Sequence, residues 1–394
     1  MKRILLFVLF VLSASASAQT KWPTQGWAIA KPADVGVDAT QLDAFSAEIA
    51  AGKHGYVDSM LVIRCGQIAF EKSFPHDYDK IYGEQARKPG PLNHDLNGPY
   101  NYFSANWHPF YKRGELHTMQ SVTKTVTSVV FGVAMARKDF SENLDEPILK
   151  YFDGMIVANV DERKRRITLR HMLTMTAGFD WNEDGPYNDP SNSADIMESK
   201  RDWVRYAIDL PMAHEPGARY QYSSGVSQLL SHIFKKATGQ DIQDYAKKHL
   251  LSPLGIDFFW KRTPTGLSDT EGGLYLKARD LAKIGYLFLK NGQWNGKQLL
   301  KPEWVKASVA PSSTPGGGMK YGFQWWLLPH GENQDKLAWT GSGFGGQRLF
   351  VVPKQDLIVV YTGWSILSPP LNGRTAFHRV TGAVSAQSCG AQAK

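Results

Sequence analysis

Ser121 and Lys124 stand three residues apart in Ser121-Val122-Thr123-Lys124. On a helix, positions i and i+3 share a face, so the hydroxyl and the amine can meet. A serine hydroxyl is inert at neutral pH unless a base stands beside it. A lysine amine titrates near about 10.4, so burial or neighbouring cations must act before it can be that base. A buried helix supplies the desolvation, and its N-terminus directs backbone N–H groups at Ser121, where they favour an oxyanion. Random pairing of serines and lysines gives about one or two such tetrads in a chain like this, so the tetrad alone is weak. Two facts add weight: it is the chain's sole Ser-x-x-Lys, and it opens its most apolar helical stretch, with Val122, Val126, Val129, Val130, Phe131 and Val133 on all sides.

Two further segments carry chemistry. In Pro216-Gly217-Ala218-Arg219-Tyr220-Gln221-Tyr222-Ser223-Ser224-Gly225 a turn delivers two tyrosines to the start of a helix. A loop with a capping serine and packed aromatics is the plain reading. The chemical reading sets Tyr222 beside Lys124, where a cation lowers the phenol pKa enough for proton shuttling. The other segment is Leu337-Ala338-Trp339-Thr340-Gly341-Ser342-Gly343-Phe344-Gly345-Gly346-Gln347. Its Gly341, Gly343 and Gly346 fit G-x-G-x-x-G, but a strand pattern follows (Arg348 to Val352) and not a helix, which rules against a dinucleotide site. An edge strand entering a glycine turn is the better reading, since a bare backbone there can offer an N–H to an oxyanion. No G-x-S-x-G occurs, and His214-Glu215 lacks a second histidine at zinc-peptidase spacing.

The order Ser121-x-x-Lys124, Tyr222-Ser223-Ser224, Trp339-Thr340-Gly341 resembles the β-lactamase-related serine hydrolases: class C β-lactamases, D-alanyl-D-alanine carboxypeptidases, a group of esterases, and 6-aminohexanoate-dimer (nylon-oligomer) hydrolases. Supporting stretches are Thr168 to Phe179, Gly272-Gly273-Leu274-Tyr275 and Tyr321 to Trp326. The resemblance covers nearly the whole chain after its first residues. It implies an α+β fold of the β-lactamase/transpeptidase type: an antiparallel sheet flanked by helices, plus an inserted helical lobe. It implies Ser121 as the acylated nucleophile and Lys124 with Tyr222 as general acid and base. The oxyanion donors would be the backbone N–H groups of Ser121 and Ser342, and Ser224, Trp339, Thr340 and Gly341 would touch substrate. Neither metal nor cofactor is implied.

The departures point to a branch. Class C enzymes carry Tyr-x-Asn and Lys-Thr-Gly, whereas this chain has Ser224 in place of the Asn and Trp339 in place of the Lys. An indole has no charge to hold a carboxylate. The expected function is an esterase or linear amidase acting on a small molecule through an acyl-enzyme. A β-lactamase or D-alanyl-D-alanine carboxypeptidase is the alternative within enzymes. A penicillin-interactive sensor that acylates without turnover is the alternative outside them.

The elements that must position these residues read as follows. Asp38 to Ala51 is helical by spacing, and Ser59–Arg64 with Ile68–Phe74 form a hairpin. Pro75 to Leu116 is a long loop, of the kind that shapes a site, and so is Asp180 to Asp184. A helix spans Gln120 to Arg137. Thr168 caps a helix ending at Gly178, Ser193 caps one reaching Leu210, and Ser224 to Ala237 is closed by Gly239. Asp280 to Lys290 and Thr375 to Ala386 are further helices, with strands at Lys336–Thr340, Gln347–Val352 and Leu357–Thr362. Strands at both ends and helices between give residues 19–139 and 255–394 as an α/β body and 140–254 as a helical lobe, with the site between them.

The 394 residues carry a net charge of +8, and 42% are hydrophobic with 12 tryptophans, which excludes a disordered chain. The cluster Arg163 to Arg166 follows Asp161-Glu162 and reads as a solvated face, so no nucleic-acid partner is expected. Lys2-Arg3, the apolar Ile4 to Leu12 and Ala16-Ser17-Ala18 read as a signal peptide over residues 1–18, hence export to a periplasm or beyond the cell with no membrane span. Cys65 and Cys389 are the two cysteines, and their pairing depends on where the tail packs.

Overall fold

Period-two alternation builds the frame. In Gln347–Val352, Leu349 and Val351 join one core while Phe350 and Val352 join the other. Leu357–Gly363 divides the same way, Ile358 and Val360 against Val359 and Tyr361. A strand buried on both faces has no solvated side and reads as a near-continuous apolar run.

The computed structural model describes residues 22–386 and Cys389, so the signal-peptide segment lies outside the described residues. In chain order the elements that matter are α1 (Ala39–Ala50), β1 (Val57–Arg64), β2 (Gln67–Ser73), α2 (Val122–Ala136), α3 (Leu169–Leu173), α4 (Ser193–Glu198), α5 (Trp203–Asp209), α6 (Ser224–Thr238), α7 (Ala278–Leu289), β3 (Trp326–His330), β4 (Lys336–Gly343), β5 (Gln347–Val352), β6 (Leu357–Gly363) and α8 (Gly373–Gly382). The large sheet has nine strands. Ala28–Ile29 pairs with β2, then come β1, β6, β5, β4 and β3, and Met319–Tyr321 and Ser313–Gly316 finish the edge. All neighbours are antiparallel except Ala28–Ile29, which runs parallel to β2. Core residues of α1 and α8 cover one face, and those of α2 and α7 cover the other. The expected α+β architecture is what the chain adopts, with chain-terminal strands joined in one sheet and helices supplied from the middle.

Local chemistry explains most boundaries. Asp38 caps α1 by accepting from Thr40 N at 2.9 Å. Cys65 and Gly66 both take positive φ (54° and 71°), the geometry of a two-residue turn that matches strand twist. Cys65 is bonded to Cys389, which ties that residue to this hairpin. In α2 every residue from Val122 to Met135 is buried. Each buried Val or Phe contributes about 1.5–3 kcal/mol relative to exposure, an upper bound that makes this helix a rigid platform. Beyond it, Phe131 packs edge-on against Phe140 and Phe234 at 5.0 and 5.1 Å, tying α2 to the helices that follow.

Two expected helices are corrected. The one capped by Thr168 ends at Leu173 and not at Gly178. Thr174 Oγ1 donates back to the Arg170 carbonyl at 2.8 Å and Met175 takes φ 56°, which turns the chain out of helix. The segment Ser193 to Leu210 is two helices, α4 and α5. Asn192 caps the first, and Asp202 caps the second by accepting from Arg205 N at 2.9 Å. A competent cap in mid-segment outweighs continuous periodicity. Short strands at Phe258–Trp260 and Leu274–Leu276, with His117–Thr118, form a small sheet that sequence pattern does not reveal. Among the described residues no helix is long and apolar enough to cross a membrane.

Candidate active site

Ser121 stands at the start of α2, preceded by Gln120 at φ 47°. Its hydroxyl makes no cap to its own helix, so it is free for other partners. Lys124 Nζ donates to Ser121 Oγ at 3.0 Å, to Ser224 Oγ at 3.0 Å and to the Glu271 carbonyl at 2.7 Å, with Glu271 Oε2 at 3.4 Å. Three donors meet three close acceptors, the full complement of an ammonium group. Lys124 is 1% exposed, so these contacts lie out of water.

A carboxylate fixes the second of them. Ser224 Oγ donates to Glu183 Oε1 and Ser224 N to Oε2, both at 2.7 Å. Trp181 Nε1 and Tyr187 Oη also donate to Glu183, at 2.8 and 2.7 Å. With its own proton committed to Glu183, the Ser224 oxygen can only accept from Lys124. Behind Lys124 lies a second acid pair. Burial raises the Glu271 carboxyl, but Lys124, a hydrogen bond with Glu198 and Lys261 hold it below its ordinary value. Burial and the Glu271 charge push Glu198 well above its ordinary value. One proton therefore resides on Glu198 and the charge on Glu271, where it faces Lys124.

Tyr222 reaches the cluster from just before α6. Its ring centroid is 5.2 Å from Lys124 Nζ, and its ring stacks on Trp326 at 5.8 Å. The expected lowering of its phenol pKa is not found. Burial, then the Glu183 charge, raises it well above the ordinary value, and a hydrogen bond with Ser121 is the one opposing influence. Lys124 lies at the ring face, and the charges that act on the phenol are those of Glu183 and Glu271.

The cluster opens into a cavity of about 540 Å³ lined by Ser121, Tyr222, Trp326, Ser342 and Phe344, with Ser365 to Pro370 as the far wall. β3 ends where Trp326 faces Thr340 on β4, so Gly341 to Gly343 run past it and β4 has a free edge there. A narrower pocket also reaches Ser121 and is lined by Leu92, Tyr102, Gln120, Glu198 and Glu271. The long 75–116 loop thus contributes wall through Leu92 and Tyr102.

Of the residues singled out in the sequence, Ser121, Lys124, Tyr222 and Ser342 come together. The other four take different places. Ser224 is fully buried behind Lys124 and is not part of the cavity lining. Trp339 turns to the core, edge-on to Phe288 at 6.4 Å. Thr340 is buried outside the lining. Gly341 packs on α2, where a Cβ would lie 2.9 Å from Val122 Cγ1. The aromatic wall is Trp326, Tyr187 and Phe344 instead. Glu183, Glu198 and Glu271 carry no local motif. The one available hint for Glu183 was its loop, Asp180 to Asp184, placed among chemistry-bearing segments.

Ser224→Ala tests the buried chain. Removing a hydrogen bond to a charged group costs about 1.5–3 kcal/mol, or about 10- to 100-fold. The loss should fall on kcat with KM nearly unchanged, because Ser224 does not touch the cavity. A change confined to KM would place Ser224 in substrate contact.

The chain matches a family model and several known proteins. The Beta-lactamase family model matches residues 51–363. The 6-aminohexanoate-dimer hydrolase of Paenarthrobacter ureafaciens is 24% identical over 64% of this chain and 68% of its own. Monacolin J acid methylbutanoyltransferase of Aspergillus terreus is 27% identical, a match spanning only 35% of this chain and 36% of that enzyme. Among solved structures, EstCE1, a hydrolase with promiscuous acyltransferase activity, superposes with a TM-score of 0.64 at 14% identity, over 90% of this chain and 99% of that one. A serine held by lysine at the head of a buried helix, in this fold and with this family match, leaves one classification: the chain is a serine hydrolase belonging to the Beta-lactamase family.

Proposed function

We propose that the chain is an exported hydrolase of esters or linear amides that works through an acyl-enzyme on Ser121. The observation that carries this reading is the 3.0 Å contact between Lys124 Nζ and Ser121 Oγ at a cavity that Tyr222 and Ser342 also line. Ser121 Oγ attacks the substrate carbonyl carbon while its proton passes to Tyr222, which accepts it in the phenolate form beside the Lys124 ammonium. The oxyanion is met by the backbone N–H groups of Ser121 and Ser342. The same pair returns the proton to the leaving alcohol or amine as the C–O or C–N bond breaks. Water then attacks the acyl-enzyme, its proton takes the same route, and the acid departs with Ser121 restored.

The division into a body of residues 19–139 and 255–394 and a helical lobe of 140–254 belongs to this reading. Ser121 comes from the body, and Glu183, Tyr222 and Ser224 come from the lobe. Export is supported by the signal-like first eighteen residues and by the Cys65–Cys389 disulfide, a bond that persists in oxidising compartments.

The branch follows from the walls. With Trp339 turned inward, β4 presents no cation next to the reacting bond, while Tyr187, Trp326, Phe344, Ile366 and Leu367 give apolar contact. Short-chain p-nitrophenyl esters should be turned over readily, and linear amides more slowly. The kcat/KM for p-nitrophenyl butyrate should exceed that for nitrocefin. A ratio below one would overturn the esterase reading in favour of a β-lactamase.

A further inference from the structure

Two pockets meet at Ser121, and they differ in what they can hold. The large cavity has room for a substrate. The narrow one beside it has a volume of about 20 Å³, and about 10–15 Å³ of such space accommodates one water. Among the described residues the two pockets share Ser121, Tyr187 and Phe344. The Tyr187 and Phe344 rings lie 4.8 Å apart and form the partition between them, and Tyr187 Oη is fixed to Glu183 at 2.7 Å. The narrow side is polar. Tyr102, Gln120, Glu198 and Glu271 line it, with Ala194 of α4 as a small wall. A buried water needs two to four polar partners. Glu198 accepts from Tyr102 Oη at 2.5 Å and shares a hydrogen bond with Glu271. A protonated carboxyl that gives its hydrogen to one neighbour and accepts from another still has lone pairs to offer.

We propose that this narrow pocket holds the hydrolytic water, so that the acyl-enzyme is attacked from the side of α4 and not through the substrate cavity. The proposal rests on the acyl-enzyme reading and concerns its second half. An acyl group on Ser121 lies in the large cavity, and the Tyr187–Phe344 partition keeps it out of the narrow one. The held water donates one hydrogen to Glu198, which leaves its own lone pairs free. Its oxygen bonds to the acyl carbon as the carbonyl electrons move onto the oxyanion. One water proton passes to Tyr222, and the other stays with the departing acid. Collapse of the tetrahedral species breaks the bond to Ser121 Oγ, which recovers a proton from Tyr222. Glu198 orients the water and neither gains nor loses a proton over the step.

The test is the fate of one acyl-enzyme offered water and an alcohol. p-Nitrophenyl butyrate is turned over in rising 1-butanol, and butyrate and butyl butyrate are both quantified. Butanol takes the space that p-nitrophenol leaves in the large cavity. With water in a pocket of its own, both acceptors are held at once, and the ratio of butyl butyrate to butyrate should level off as butanol saturates. With one shared place the ratio stays proportional to butanol up to its solubility limit, and that result overturns the proposal. Ala194→Val adds two methyl groups to a space for one water. It should slow hydrolysis at least about 10-fold relative to butanolysis, the scale of losing a held reactant, and make the ratio proportional to butanol. Ala194→Ser adds a single atom and serves if the valine variant does not fold. It should move the ratio in the same direction by a smaller factor. Both products come from one acyl-enzyme, so loss of folded protein cancels in the ratio. A ratio untouched by either substitution also overturns the water pocket. Both of these outcomes leave the hydrolase reading standing. A parent protein that releases neither product overturns that reading, and the water pocket falls with it.

Discussion

Ser121→Ala should remove hydrolysis of every substrate the protein accepts and leave a folded molecule. The expected loss in kcat is about 10⁴- to 10⁶-fold, the range seen when a nucleophile is deleted from a unit that otherwise persists. The fold should survive because the substitution takes one hydroxyl from the head of α2 and no packed carbon. Lys124 keeps Ser224 and the Glu271 carbonyl as acceptors, and Glu271 Oε2 at 3.4 Å can take the donor that Ser121 releases. The measurement pairs p-nitrophenyl butyrate turnover with fluorophosphonate labelling and mass mapping. Thermal melting of the variant should stay within a few degrees of the parent, and the probe should find no serine. Labelling that persists on another serine would displace Ser121 from the reaction.

How far the chain could be read without coordinates depends on the range of each interaction. Ser121 and Lys124 were legible because i and i+3 adjacency needs only a helix. β5 and β6 were legible because alternation announces a strand buried on both faces. Tyr222 was located, but its proton affinity was not, since Glu183 lies 39 residues earlier in the chain and its loop packs beside the ring. Trp339 shows a different limit. Strand position sets which side of β4 a residue occupies, but whether an indole enters the cavity or the core depends on the gap beside Phe288, which only packing defines. The acid pair of Glu198 and Glu271 joins segments far apart in sequence. Charge balance of that kind is a property of the folded site. The pairing of Cys65 with Cys389 is likewise set by the fold, which brings two cysteines 324 residues apart together at the β1–β2 turn.

Tyr222→Phe and Lys124→Met should each lower kcat by about 10²- to 10⁴-fold, the scale of positioned acid–base groups. Together they should cost little more than the worse of the two, because a proton route broken once is broken. The two variants differ in what else they disturb. Tyr222→Phe keeps the ring on Trp326 and removes only the oxygen that bonds Ser121. Lys124→Met takes from the buried Glu271 charge its stronger cation and leaves only Lys261, so that variant should also melt earlier. Tyr222→Phe should not. Stability and rate therefore separate packing from chemistry. The pH profile then tests which form of Tyr222 works. Burial and the Glu183 charge raise the phenol, so its anionic form is scarce at neutrality and grows with pH. For a neutral ester, kcat/KM should climb steadily from pH 7 to 10 in the parent and lose that slope in Tyr222→Phe. A Tyr222→Phe enzyme of near-normal rate, with the parent's pH slope, would show that Lys124 moves the proton alone and that Tyr222 serves only as packing for Trp326.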